Sequence, residues 1–330
     1  MASVFPTPLP RSALRGLTSE EAFFWETHGY VAVADAVPLE LCAKLASTVR
    51  AFVGADDAKP ESWYKNDLDI YSELTEKKKK PIHGPCGMVQ LSHHENLWRL
   101  RQCPRIHDIF SDVYGTEKLW VTTDRAHFKP PENGKFPKWS DAGPVHSGLH
   151  WDAAIDDLPL PFAVQGVVYL EDTAADQGAL RVVPGSFRDL IRKEAIAVPG
   201  KAGTLVLWHS GVLHGPGRNV STKPRISAYV AMLPVDAEPF QPPGKAPDNP
   251  LSLADAGTLD FDDPDKRRLI KRKNRQDRID RYKYRLPLLD EDPKEDDLER
   301  YPPNEPQGTP PFPDLTPLGR KLVGIDLWEE

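Results

Sequence analysis

Cysteine is scarce in this chain of 330 residues: Cys42, Cys86 and Cys103 are an odd number with no C-x-x-C spacing. That excludes a disulfide framework or a paired-thiol zinc site, and it reads as reduced thiols in a cytosol-like compartment. Positive charge is not in excess either. Forty-two Lys and Arg against 49 Asp and Glu leave a formal net charge of −7, which argues against general nucleic-acid binding, because that needs a basic surface. No apolar run approaches the roughly 20 residues of a membrane span. The opening MASVFPTPLPRSALRG has no long apolar core for a secretory signal, although its lack of acids leaves an organelle-targeting reading open. The expectation is a cytoplasmic protein whose partner is a small molecule, with neither nucleic acid nor membrane involved.

Hydrophobic residues, at 39%, suffice for a full-sized core, and proline is abundant at 34, much of it late in the chain. LTSEEAFFWETHG carries a capping box, Thr18 with Glu21, and Gly29 is placed to end that helix. YVAVADAV alternates like a strand, and PLELCAKLASTVRAFV spaces Leu41, Leu45 and Val49 on one helical face, with Pro38 as a favourable first helical residue. A second amphipathic stretch is HHENLWRLRQCPRIHDIFSDVYG. From KLWVTTDRAHFKPP onward the pattern is of strands, PFAVQGVVYLED, GALRVVPG, GTLVLWH and RISAYVAMLP, separated by Gly, Pro and Asp. Helices first and many short strands after predict a mainly β fold with flanking helices, a sandwich or jelly-roll core. The domain expectation is a core over residues 1–236 and a Pro-rich, charged extension over 237–330. This extension reads as a solvated arm wrapped over the core, with closure of the active site by its last apolar residues as the alternative.

A histidine followed two positions later by an acid occurs twice, at His93 with Glu95 and at His150 with Asp152. His93 lies beside a helical pattern, where residues two apart diverge. His150 and Asp152 lie among strands, where residues two apart share a face and can converge on one ion. GTLVLWHSGVLHGPGRN offers a third ligand. His214 sits at a Gly-flanked turn after a strand, whereas His209, against Trp208, reads as a packed core histidine. Two His and one carboxylate leave coordination positions open, as non-haem Fe(II) oxygenases require for a cosubstrate and O2; a structural zinc site would be closed by a fourth ligand. Eleven residues after His214, Arg225 and Ser227 share one strand face, a clamp for a carboxylate. 2-Oxoglutarate suits this layout, its keto-acid end on iron and its far carboxylate on Arg225.

Taken together, GLHWD, YLEDTAADQGALRVVPGS, HGPGRNVSTKPRIS and the early THGYVAVADAVPLELC resemble the phytanoyl-CoA dioxygenase-like Fe(II)/2-oxoglutarate oxygenases over roughly residues 17–236. The resemblance implies a double-stranded β-helix, a jelly-roll (cupin-like) barrel with helices outside. It implies His150, Asp152 and His214 as iron ligands and Arg225, helped by Ser227, as the 2-oxoglutarate site. Lys129 and Gln165 are further candidates near the cosubstrate, and His93, His94 and His146 are candidates for the substrate pocket, with a hydrogen-bonded or surface role the plainer reading of each. The family's frequent PGSH reads PGSF here, with Phe187 in the histidine's place, and the tail lies outside the family pattern. The implied activity is hydroxylation or desaturation of a small organic molecule with release of succinate and CO2. Asp152 favours oxygen transfer over halogenation, because related halogenases have a small residue where this carboxylate stands. The alternatives are a catalytically silent metal-binding jelly roll serving as sensor or scaffold, and a cupin-type metal isomerase or hydrolase.

Overall fold

The computed structural model describes residues 13–64, 87–89, 91–136, 148–151, 163–186, 194–236, 264–283 and 315–328. The first helix, α1 (Ser19–His28), begins with the expected box: the Thr18 side chain accepts from Glu21 N at 3.1 Å and Glu21 Oε2 accepts from Thr18 N at 2.7 Å. Gly29, at φ 74°, closes it. Strand β1 (Tyr30–Val33) is shorter than the alternation predicts, because Asp35 takes a left-handed φ of 52° and turns the chain. In α2 (Leu39–Val53) the buried stripe is Cys42, Leu45, Ala46, Val49, Phe52 and Val53. Pro38 stands one position earlier than expected, as the extended residue before the helix.

The second amphipathic stretch is two helices, α3 (Glu95–Arg101) and α4 (Pro104–Tyr114). Pro104 explains the break, since proline has no N–H to continue a helix and clashes with the preceding turn, yet suits a first helical position. His94 caps α3, its Nδ1 accepting from Asn96 N at 3.1 Å.

The strands are β2 (Met88–Val89), β3 (Leu119–Val121), β4 (Ala126–Lys129), β5 (Val164–Tyr169), β6 (Leu180–Val182), β7 (Ile196–Val198), β8 (Leu205–His209), β9 (His214–Pro216) and β10 (Arg225–Pro234). They form two antiparallel sheets. The larger runs β1-β8-β5-β10-β4-β2, with β3 pairing the far end of β10, and the smaller runs β7-β6-β9. The larger sheet has two different faces. One buries Val33, Phe128, Val168, Leu207, Ile226 and Val230 against the helices; the other places Tyr30, Val167, Tyr169, Val206 and Trp208 against Leu180, Val182 and Val198 of the smaller sheet. Tyr169 joins the sheets: its hydroxyl donates to Val198 O at 2.8 Å and accepts from Leu180 N at 3.0 Å. This is a double-stranded β-helix, and its interior lies between the sheets.

Two segments of the tail dock on the helix side. α5 (Pro264–Lys283) sends Arg278 Nη1 to Val121 O at 2.8 Å. α6 (Pro317–Val323) buries Leu322 and Val323 in the helix-side cluster, and Trp328 Nε1 donates to Leu119 O at 3.0 Å. These contacts fall around β3, which pairs Met232–Pro234 of β10.

Candidate metal and cosubstrate site

His214 opens β9, and His150 is bridged to it as an antiparallel pair: His150 N donates to His214 O at 2.8 Å, and His214 N to His150 O at 3.1 Å. Residues that exchange both hydrogen bonds lie directly opposite and point the same way. Accordingly the two imidazole centroids are 4.6 Å apart. Each ring is oriented by its own backbone, His214 Nδ1 by Val212 O at 2.9 Å and His150 Nδ1 by Gly148 O at 3.2 Å. A carbonyl only accepts, so Nδ1 donates to it and Nε2 is the nitrogen a metal would take, the usual arrangement of metal-bound histidine. Trp151 Nε1, donating to Gly211 O at 3.1 Å, pins the neighbouring loop. Among the described residues, no three His, Cys, Asp or Glu form a complete metal cluster. Asp152, the expected third ligand, lies outside the described residues, as do His146 and Phe187.

The two histidines border a cavity of about 230 Å³. Arg225 lines it too, at the start of β10, and is 2% exposed. Its Nη1 donates to Gly178 O and its Nη2 meets the His127 ring at 2.9 Å. Its Nε has no hydrogen-bond partner, and no carboxylate among the described residues pairs with it. Two residues on, Ser227 is fully buried and its hydroxyl likewise has no partner among the described residues. A buried cation with no counter-charge among the described residues is costly, and an anion at this end of the cavity would relieve that cost. The described residues fit both halves of the expected ligand set: two imidazoles for a divalent metal, and a guanidinium with a hydroxyl for a carboxylate.

Gln165 and Val167 lie on the cavity wall, with Met88, Leu180, Trp208 and Tyr229. Lys129 does not. It pairs with Arg225 across β4 and β10, is buried, and donates its Nζ to Gly217 O at 2.7 Å. The loop that brings β9 to β10 is held by Asn219, whose amide donates to Lys129 O and Lys223 O, each at 2.9 Å. His209 is fully buried, accepts from Gly211 N at 2.9 Å, and is pushed by burial down to about 4. His93 is buried beside Trp98 and stands away from the cavity wall. His127 was missed by the sequence reading, although it alternates with Lys129 in AHFK and so shares its face. Trp208 and Tyr229 were missed as well, both aromatic residues in apolar runs that periodicity alone assigns to core.

A family model for phytanoyl-CoA dioxygenase (PhyH) matches residues 25–227. An ectoine dioxygenase of Nocardia farcinica is 26% identical over 179 residues, 43% of this chain and 58% of that protein. An ectoine dioxygenase of Halomonas elongata is 24% identical over 271 residues, 72% of this chain and 76% of that protein. Against the first relatives the chain spans between 52% and 58% of their length. The crystal structure of EctD from S. alaskensis with 2-oxoglutarate and 5-hydroxyectoine superposes with a TM-score of 0.51 at 20% identity, over 77% of this chain and 88% of that one. With its β-helix, its paired imidazoles and a family match across more than half its length, this chain belongs to the phytanoyl-CoA dioxygenase (PhyH) family.

Proposed function

We propose that the protein is an Fe(II)- and 2-oxoglutarate-dependent oxygenase that hydroxylates, or desaturates, a small organic molecule in the cytoplasm. The observation that carries this is Arg225, a buried guanidinium beside the orphaned Ser227 hydroxyl, in the same cavity as the His150–His214 pair. A silent metal-binding scaffold, or a metal isomerase or hydrolase, has no use for such an arginine.

His150 and His214 hold iron through Nε2. Asp152, two positions after His150 in the sequence, is the carboxylate assigned to complete the set. Arg225 and Ser227 hold the distal carboxylate of 2-oxoglutarate by charge-assisted hydrogen bonds. Lys129, through Gly217, holds the turn that follows His214, and Gln165 offers its amide to the cosubstrate from the wall. Val167, Leu180 and Met88 keep water from the reacting atoms. When bound, iron and 2-oxoglutarate supply the oxidising chemistry, in which O2 is consumed, succinate and CO2 are released and a C–H bond of the substrate is oxidised. The described tail segments lie on the helix side, which favours a strap over a lid.

The test is anaerobic addition of Fe(II) and 2-oxoglutarate to the full chain. A weak visible charge-transfer band is expected, and Asp152→Ala and His214→Ala should each abolish it. Wild-type protein that binds iron and gives no band would refute the reading.

A further inference from the structure

Two separate sets of buried polar atoms, at the cavity and just behind its wall, are left without partners among the described residues. Arg225 Nε and, at the next position on the same face of β10, Ser227 Oγ make one set; the indole Nε1 of Trp208 makes the other, and Arg225 and Trp208 both line the cavity. Trp208 is 1% exposed, sits between Tyr30 and Gln165 in register, and its ring centroid is 5.0 Å from that of His214. The strands measure the separation. Trp208 is level with Gln165, which is level with Ala231, and Ser227 lies four residues back along β10. At a rise of about 3.3 Å per residue and about 4.8 Å for each of the two strand-to-strand steps, the backbone positions of Trp208 and Ser227 are about 16 Å apart, and their side chains rise from the same face of the sheet. A buried N–H without an acceptor is destabilising, and apolar packing gives no reason for one there.

We propose that Trp208 is a binding residue for the cosubstrate, its indole N–H donating to the keto-acid carboxylate at the end opposite Arg225. This rests on the reading of the cavity as a 2-oxoglutarate site. A five-carbon dicarboxylate with a hydrogen bond of about 2.9 Å at each end covers a span of the same order. The Trp208 ring lies beside that of His214, at the end of the cavity where a keto acid would have to lie to chelate a metal held by the histidines. The two sets of donors then select by length, so that a shorter keto acid engages one set and leaves the other empty.

The experiment is anaerobic titration of the Fe(II)-loaded full chain with 2-oxoglutarate, and separately with pyruvate, which has the keto-acid end and lacks the distal carboxylate. Trp208→Phe should retain iron and weaken 2-oxoglutarate about tenfold, the loss expected for one hydrogen bond to a charged acceptor. It should weaken pyruvate by a similar factor, whereas Arg225→Ala should leave pyruvate unchanged. If the phenylalanine variant loses its fold or its iron, β-(3-benzothienyl)alanine at position 208 keeps the indole shape without the N–H and gives the same readout. Unchanged affinity for both ligands, or weakening of 2-oxoglutarate without pyruvate, overturns the assignment while leaving the proposed function standing. A wild-type chain that fails to bind 2-oxoglutarate overturns both.

Discussion

Arg225 is the residue whose environment says most about what is bound. Its guanidinium is buried against a carbonyl and an imidazole, with its Nε–H unpartnered among the described residues. In the ligand-free protein that is a cost, and an apolar residue of similar length removes it. Arg225→Met is therefore expected to raise the thermal midpoint of the free protein, by about 1–4 kcal/mol of stability if the site repacks. It should also abolish the rise in midpoint that 2-oxoglutarate gives the wild type; differential scanning calorimetry with and without the cosubstrate reads both effects. His209 makes the complementary case, a buried histidine kept neutral. Burial holds it at about 4, below the unfolded value of about 6.5. Between those values the unfolded chain binds the extra proton, so its stabilising contribution is intact above about pH 6.5 and is lost as pH falls towards 4, amounting to about 3 kcal/mol. Urea denaturation from pH 4 to 7 should find this slope reduced in His209→Asn, which keeps an acceptor for Gly211 N.

At the scale of elements, β10 is the spine of the molecule, with the site at one end and the tail's anchorage at the other. Arg225 and Ser227 open it, and Met232–Pro234 pair with β3, where α6 and Trp328 attach. Seven residues separate Arg225 from Met232, about 23 Å of strand. Leu322 in α6 is fully buried, so Leu322→Ala should cost about 2–5 kcal/mol. The dissociation constant for 2-oxoglutarate should not change, because the lost packing is remote from the cavity; thermal denaturation and ligand titration of one preparation check the two halves. The helices teach a related lesson. The amphipathic stretch over residues 93–115 is divided by Pro104 into two helices, since a missing N–H outweighs a favourable stripe.

For the whole molecule, the division into two buried layers is what creates a cavity. The helix-side layer is mainly apolar, with Arg101, His107 and Asp112 as buried exceptions, and was legible in the period of α2 and in the Val- and Leu-rich strands. The inner layer mixes Tyr169, Trp208, Ser227 and Arg225 with valines, and it was legible only where alternation put two polar residues on one face, as in RIS. His127 and Trp208 escaped because their roles depend on strands that are neighbours in space: Arg225 meets His127 across 98 residues of chain. By itself the sequence determined the order of elements, the capping of α1, the strand run, and the candidates His150, Asp152, His214, Arg225 and Ser227, because caps and alternation are local properties of the backbone. Only the tertiary structure decided that His150 and His214 lie opposite one another, that Arg225 is buried without a counter-charge among the described residues, and that the described tail segments anchor at the far end of β10. Pairing and desolvation arise between segments distant in sequence, and no local pattern encodes them.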